Sequence, residues 1–174
     1  MEYTFTLRYR LPDSSLDPDD LMERLGAAGC DDALVGTGLP GRVALEFTRE
    51  APSAREAFLS ALADVRRAVP GGCLIEAVPD FVGLTDVAQA VGVTRQNMRK
   101  LMIAHAGSFP APVHCGSAAI WHLAEVLAWL RARGSYDVGA DLWETAAAAM
   151  QINVAKAARQ AAPAFQEALG DLVE

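Results

Sequence analysis

Apolar and polar residues alternate at the start of the chain. Over residues 3–11 Tyr3, Phe5, Leu7 and Tyr9 fall on one face, which predicts a half-buried strand. After the turn-rich PDSSLDPDD, Leu21, Met22, Leu25 and Ala28 recur at helical spacing, and Gly29 is a natural stop. A short apolar run over 33–35 leads through GTGLPG to a second alternating stretch over 42–48. Residues 53–69 form an amphipathic helical pattern, with Ala54, Ala57, Phe58, Ala61, Leu62 and Val65 on one face and Pro70-Gly71-Gly72 ending it. Residues 73–79 are apolar and short enough for a buried strand. The order β-α-β-β-α-β predicts an antiparallel sheet with both helices on one face, a ferredoxin-like sandwich over residues 1–79. Dimerisation and effector binding are equally good uses for it.

The period changes after residue 79. Two short helical patterns meet at Gly92, the first over 86–91 with Thr85 as its cap and Asp86 at the positive end of its dipole. Val93 fills the angle, and Thr94 caps a second helix from residue 95 to 102 or 103. Met98, Leu101 and Met102 point inward at i, i+3 and i+4. Arg95, Gln96, Asn97, Arg99 and Lys100 are left outward or along the edge. Phe109-Pro110-Ala111-Pro112-Val113 is stiff and extended, because two prolines exclude helix. His114-Cys115-Gly116-Ser117 supplies a turn, and Ala119-Ile120-Trp121 returns as a strand, making a small wing. A helix over 122–133 follows, with Leu123, Val126, Leu127, Trp129 and Leu130 facing the core. This predicts a winged helix-turn-helix over residues 80–134.

Beyond Gly134 an alanine-rich helix is expected over 140–160, with Trp143, Ala147, Met150, Val154 and Ala157 as its apolar stripe, then a short helix over 164–173 after Pro163. This segment, 135–174, packs on its own domain or pairs with a second copy. The whole is an α+β chain without internal repeat or low-complexity linker, so its parts should be closely packed.

Charge sharpens the middle segment. The chain carries a net −7, but residues 80–134 hold five Lys/Arg against three Asp/Glu, and all three histidines, His105, His114 and His122. The one basic island coincides with the helix pair, which suits specific contacts on DNA better than loose attraction to it. Arg pairs bidentately with guanine, and Gln and Asn with adenine; all three also bind phosphates.

The pattern LTDVAQAVGVTRQNMRKLM, then FPAPV, then IWHLAEVLAWL resembles the AlpA-like and excisionase-like branch of the MerR superfamily. Phe109, Pro110, Pro112, Trp121, Glu125, Val126, Trp129 and Leu130 match its FP-x-P wing and its W-x-x-x-E-V-x-x-W-L helix. The likeness covers about 47 of 174 residues. It implies double-stranded DNA binding by a transcription regulator or recombination directionality factor that works as a dimer or array. The family wing often carries Arg or Lys, whereas this one reads HCGSAA, leaving His114 and Ser117 as its candidate contacts.

Other constellations carry less. Gly36 to Gly41 matches G-x-G-x-x-G, but a strand follows it instead of a helix, so a hairpin turn is expected. Cys30-Asp31-Asp32 lacks a histidine anywhere in residues 1–79 to complete a metal site. His114-Cys115, with His105 and His122 nearby, has neither nucleophile-base spacing nor an orienting carboxylate in sequence. The three cysteines are unpaired in pattern and expected to be reduced and mostly buried. No cofactor, metal or catalytic residue is expected. No apolar run reaches the roughly 20 residues of a membrane span, and the first residues lack a secretory layout, so a cytoplasmic protein is expected.

The expectation is therefore a DNA-binding homodimer that reads sequence with Thr94, Arg95, Gln96, Asn97, Arg99 and Lys100, aided by His114 and Ser117. A DNA-bending, excisionase-like factor is the nearest alternative. A protein-interaction adaptor or antitoxin, kept open by the acidic pI near 4.9, is the alternative from another class.

Overall fold

The computed structural model describes residues 1–14, 16–134, 136–170 and 173. Its first part runs β1 (Glu2–Arg10), α1 (Pro18–Ala27), β2 (Ala33–Gly36), β3 (Arg42–Glu50), α2 (Ala54–Ala68) and β4 (Cys73–Val78). The four strands form one antiparallel sheet in the order β2-β3-β1-β4. Register places Phe5 opposite Phe47 and Leu7 opposite Leu45 on the central pair, so the period-two apolar residues of both strands share one face. That face meets α1 and α2 in a core built on Phe5, Leu45, Phe47 and Phe58. Phe5 and Phe58 lie ring to ring at 4.0 Å.

Local chemistry sets the helix starts. The Ser53 hydroxyl accepts the Glu56 amide at 3.2 Å, and Asp17 accepts the Asp19 amide at 2.8 Å beside Pro18. Gly29, at φ 91°, ends α1 as expected. The G-x-G-x-x-G stretch is the β2–β3 hairpin connection, with Gly41 at φ 71°. Met22, expected inward, is half-exposed. A short helix lying on the sheet buries only a narrow stripe, here Leu21 and Leu25, and Met22 is turned about 100° from Leu21.

The second part contains β5 (Phe81–Val82), α3 (Leu84–Ala90), α4 (Arg95–Ala104), β6 (His114–Cys115), β7 (Ala119–His122) and α5 (Leu123–Arg133). A small antiparallel sheet in the order β5-β7-β6 backs the helices. Thr85 does not cap α3. Gly83 stands at the N-cap, and the Asp86 carboxylate accepts the Gly83 amide at 2.9 Å, so the carboxylate three residues along satisfies the helix end. A distinct core gathers Val87, Met98, Trp121, Val126, Leu127 and Leu130. The Trp121 indole N–H donates to the Pro110 carbonyl at 3.0 Å and fixes the proline-rich segment against β7.

Two helices complete the chain, α6 (Ala140–Ala158) and α7 (Pro163–Leu169). The stripe on α6 is rotated from the expected one. Its buried residues are Thr145, Ala146, Ala149 and Asn153, while Val154 and Ala157 are exposed. The reason is that α6 lies in a three-sided junction, packed on α2, α5, β4 and β1. Ala146 enters the second core and Ala149 the first. Small side chains allow that close approach, and the larger Trp143 and Met150 are pushed to the flanks. The short helix expected over 164–173 is α7, ending at Leu169; residues 171 and 172 of that expectation lie outside the described residues. Among the described residues no helix is long and apolar enough to cross a membrane.

Candidate nucleic-acid interface

The geometry of the helix pair follows from a few residues. Gly92, at φ 69°, makes the left-handed turn that β-carbon-bearing residues resist, and the Val93 amide closes back on the Ala88 carbonyl at 2.9 Å. Thr94 then caps α4, its hydroxyl accepting the Asn97 amide at 3.2 Å. Met98 is wholly buried and anchors α4 to the core, with Leu101 and Met102 partly buried beside it.

The opposite face carries the expected readers. Arg95, Gln96, Asn97, Arg99 and Lys100 are all exposed, as is Thr94 at the cap. Helical spacing pairs Arg95 with Arg99 and Gln96 with Lys100, one turn apart on the same side. Among the described residues Arg95, Arg99 and Lys100 enter no salt bridge, whereas Arg8, Arg49 and Arg67 are tied to carboxylates. Their charge is therefore free to meet an anion.

The far end of α4 is held by an aromatic clamp. His105, its C-cap residue, lies 5.9 Å from the Trp129 ring, and Phe109 meets the same ring edge-on at 5.1 Å. Arg133 stacks over Trp129 at 4.7 Å and reaches His105 Nε2 at 2.9 Å. This clamp fixes the direction of α4 against α5.

His114 and Ser117 are brought onto the separate β6–β7 hairpin, where both are exposed. The His114 ring folds back against Gly116: a β-carbon on that glycine would stand 2.5 Å from Nε2. Ser117 is at the tip, clear of the ladder that pairs Cys115 with Ala119.

Sequence reasoning missed a buried polar knot behind this region. Asp80 is almost fully buried; its Oδ1 lies 2.6 Å from His122 Nδ1 and its Oδ2 accepts from Asn153 Nδ2 at 2.8 Å. Asn153 also brackets Ala77, accepting its amide at 2.9 Å and donating to its carbonyl at 2.8 Å. So His122 does have an orienting carboxylate, contrary to expectation. Residues 73 positions apart meet here, and no local spacing announces that.

The remaining candidates resolve otherwise. Asp32 is a structural partner of Arg49, through two bonds of 2.7 and 2.8 Å. Cys30 is buried but Cys73 and Cys115 are exposed, against the expectation of mostly buried thiols. Both exposed thiols lie near strand ends, where the chain turns back into solvent. Among the described residues no group of three or more His, Cys, Asp or Glu is placed to hold a metal ion.

In comparisons with family models, with curated proteins and with solved structures, nothing matches the chain.

Proposed function

We propose that this chain is a sequence-specific double-stranded DNA-binding protein, a transcriptional regulator acting as a homodimer, that lays α4 in a major groove. The observation that carries this reading is the two-sidedness of α4. One face is locked by buried Met98, and the other presents Arg95, Arg99 and Lys100, in no salt bridge among the described residues, beside Gln96 and Asn97. Side chains of that kind at the start of a capped helix are what base-edge and phosphate contacts require.

The arrangement around it supports the reading. Two helices joined at Gly92, followed by the β6–β7 hairpin, are in keeping with a winged helix-turn-helix, and the β2-β3-β1-β4 order is in keeping with a ferredoxin-like sandwich. Phe109, Pro110, Trp121 and Trp129, which carry the resemblance to AlpA-like and excisionase-like proteins, here tie the proline-rich segment to β7 and clamp α4. The acidic remainder of the chain repels DNA outside the reading face, which favours specific over loose binding. Two copies would read half-sites about 34–36 Å apart, or a multiple of that.

Selection of bound fragments from sheared genomic DNA at near-physiological salt tests this directly. Enriched fragments sharing a palindromic or directly repeated motif are expected. Arg95→Ala should then lose about 1–3 kcal/mol and relax one position of the motif, and Lys100→Ala should weaken binding to all sequences and flatten its salt dependence. Absence of enrichment, together with no retention of any DNA at low salt, would defeat the proposal.

A further inference from the structure

Between α2 and α6 lies an open cavity of about 730 Å³. It exists because α6 presents Ala147, Ala148 and Ala155 to the first turns of α2, and these side chains do not fill the gap. Phe58, Leu59, Trp143 and Ile152 give it an apolar lining. Volumes of about 300–1,000 Å³ with apolar walls and few polar groups are those of small-molecule sites.

Two charged groups line it, and they differ in state. Glu144 is already engaged, accepting the Tyr3 hydroxyl at 3.0 Å. Arg55, the second residue of α2, enters no salt bridge or hydrogen bond among the described residues. The positive end of the α2 dipole lies at the same place. Arg55 is exposed at the rim, with Glu144 held by Tyr3, so the cation on offer beside the apolar walls suits a ligand with one anionic end.

We propose that the α2–α6 cavity binds a small amphipathic carboxylate, its aromatic or aliphatic body against Trp143 and Leu59 and its carboxylate on Arg55. The Trp143 ring is also covered by Arg131 of α5, whose Cζ stands 4.8 Å from its centroid. A ligand that displaces Trp143 therefore acts on the helix against which α4 is clamped, which makes the cavity an effector site for the reading head. That regulatory consequence rests on the DNA-binding reading; the binding itself does not.

The test is titration of the full chain, without DNA, with phenylbutyrate and decanoate, each against its primary amide, followed by tryptophan fluorescence and calorimetry. One saturable site per chain is expected, with the carboxylates bound about ten-fold more tightly than the amides because their hydrogen bonds are charge-assisted. Arg55→Gln should erase that preference while leaving amide binding intact. Leu59→Glu, a change at a half-exposed position, should abolish carboxylate binding without moving the thermal melt. No saturable binding by any probe, or equal binding by both variants, would overturn the proposal. So would light scattering that shows a dimer converted to monomer by Leu59→Glu, since the groove would then be covered by a second copy. None of these readouts uses DNA, so failure of the DNA reading and failure of this one are separable.

Discussion

Arg49 is the most heavily used side chain in the first core. It is 9% exposed, and its guanidinium bonds Asp32 twice, Asp64, Ser60 and the Gly29 carbonyl, tying the α1–β2 connection to α2. Hydrogen bonding to Asp32 first, and to Asp64, holds its pKa above the ordinary arginine value against the opposing effect of burial. Removing one partner of such a set strands the others, so Arg49→Met should cost about 3 kcal/mol in urea unfolding. Behind it, burial pushes the Cys30 thiol from 9.0 up to about 11, and burial raises the Tyr9 hydroxyl from 10.0 to about 12. Both groups stay neutral in the folded chain at pH values where the unfolded chain has released their protons. Their contribution is therefore unchanged below about pH 9, and it lowers stability as pH rises through the 9–12 window. Denaturant midpoints measured from pH 7 to 12 should show that decline, and Cys30→Ala should reduce it. At pH 8 a thiol reagent should modify Cys73 and Cys115 rapidly and Cys30 only on unfolding.

At the scale of the element, α4 keeps its buried, helix-holding residues apart from the exposed polar face proposed to read DNA. Thr94 serves the helix, so Thr94→Ala should lower stability by about 1 kcal/mol, visible as a shifted thermal midpoint. Arg99→Ala, which removes no intramolecular partner among the described residues, should leave that midpoint in place and, under the proposed function, act on DNA affinity alone. The strands β1 and β3 and the helix α2 were legible because their buried residues repeat at the element's own period. Two-residue β5 has no period to read. It exists only because β7 offers Trp121 and His122 as ladder partners for Val82 and Phe81. The cap of α3 was misread for a related reason: Thr85 is a good capping residue, but the reciprocal bond from Asp86 to Gly83 decided the start.

At the scale of the molecule, α6 joins two cores into one unit. Beyond its apolar contacts it covers the outer edge of β4, where Asn153 pairs both backbone groups of Ala77 and Lys156 donates to the Ile75 carbonyl. An edge strand left open invites pairing with another chain, and here polar side chains of a helix close it. Both cores should therefore unfold in one transition, with tryptophan fluorescence and far-UV circular dichroism coincident. Asn153→Leu strands buried groups on Ala77 and Asp80 and should cost about 2–3 kcal/mol. Hydrogen exchange at the Ala77 amide should quicken in that variant, and two transitions should emerge in place of one.

What the amino-acid order determined by itself was local: periods of two and 3.6, capping residues, glycines at left-handed turns, and the cluster of polar side chains at the head of α4. Each of these depends on neighbours within a few positions, so it is written along the chain. The rotation of α6, the Asp80–His122–Asn153 knot, the aromatic clamp on α4 and the cavity over Phe58 were decided only by the tertiary structure. Each joins residues tens of positions apart, and burial of a polar group or the filling of a gap depends on which surfaces meet. Alanine reads the same in sequence whether it faces a core, a second helix or an empty cleft.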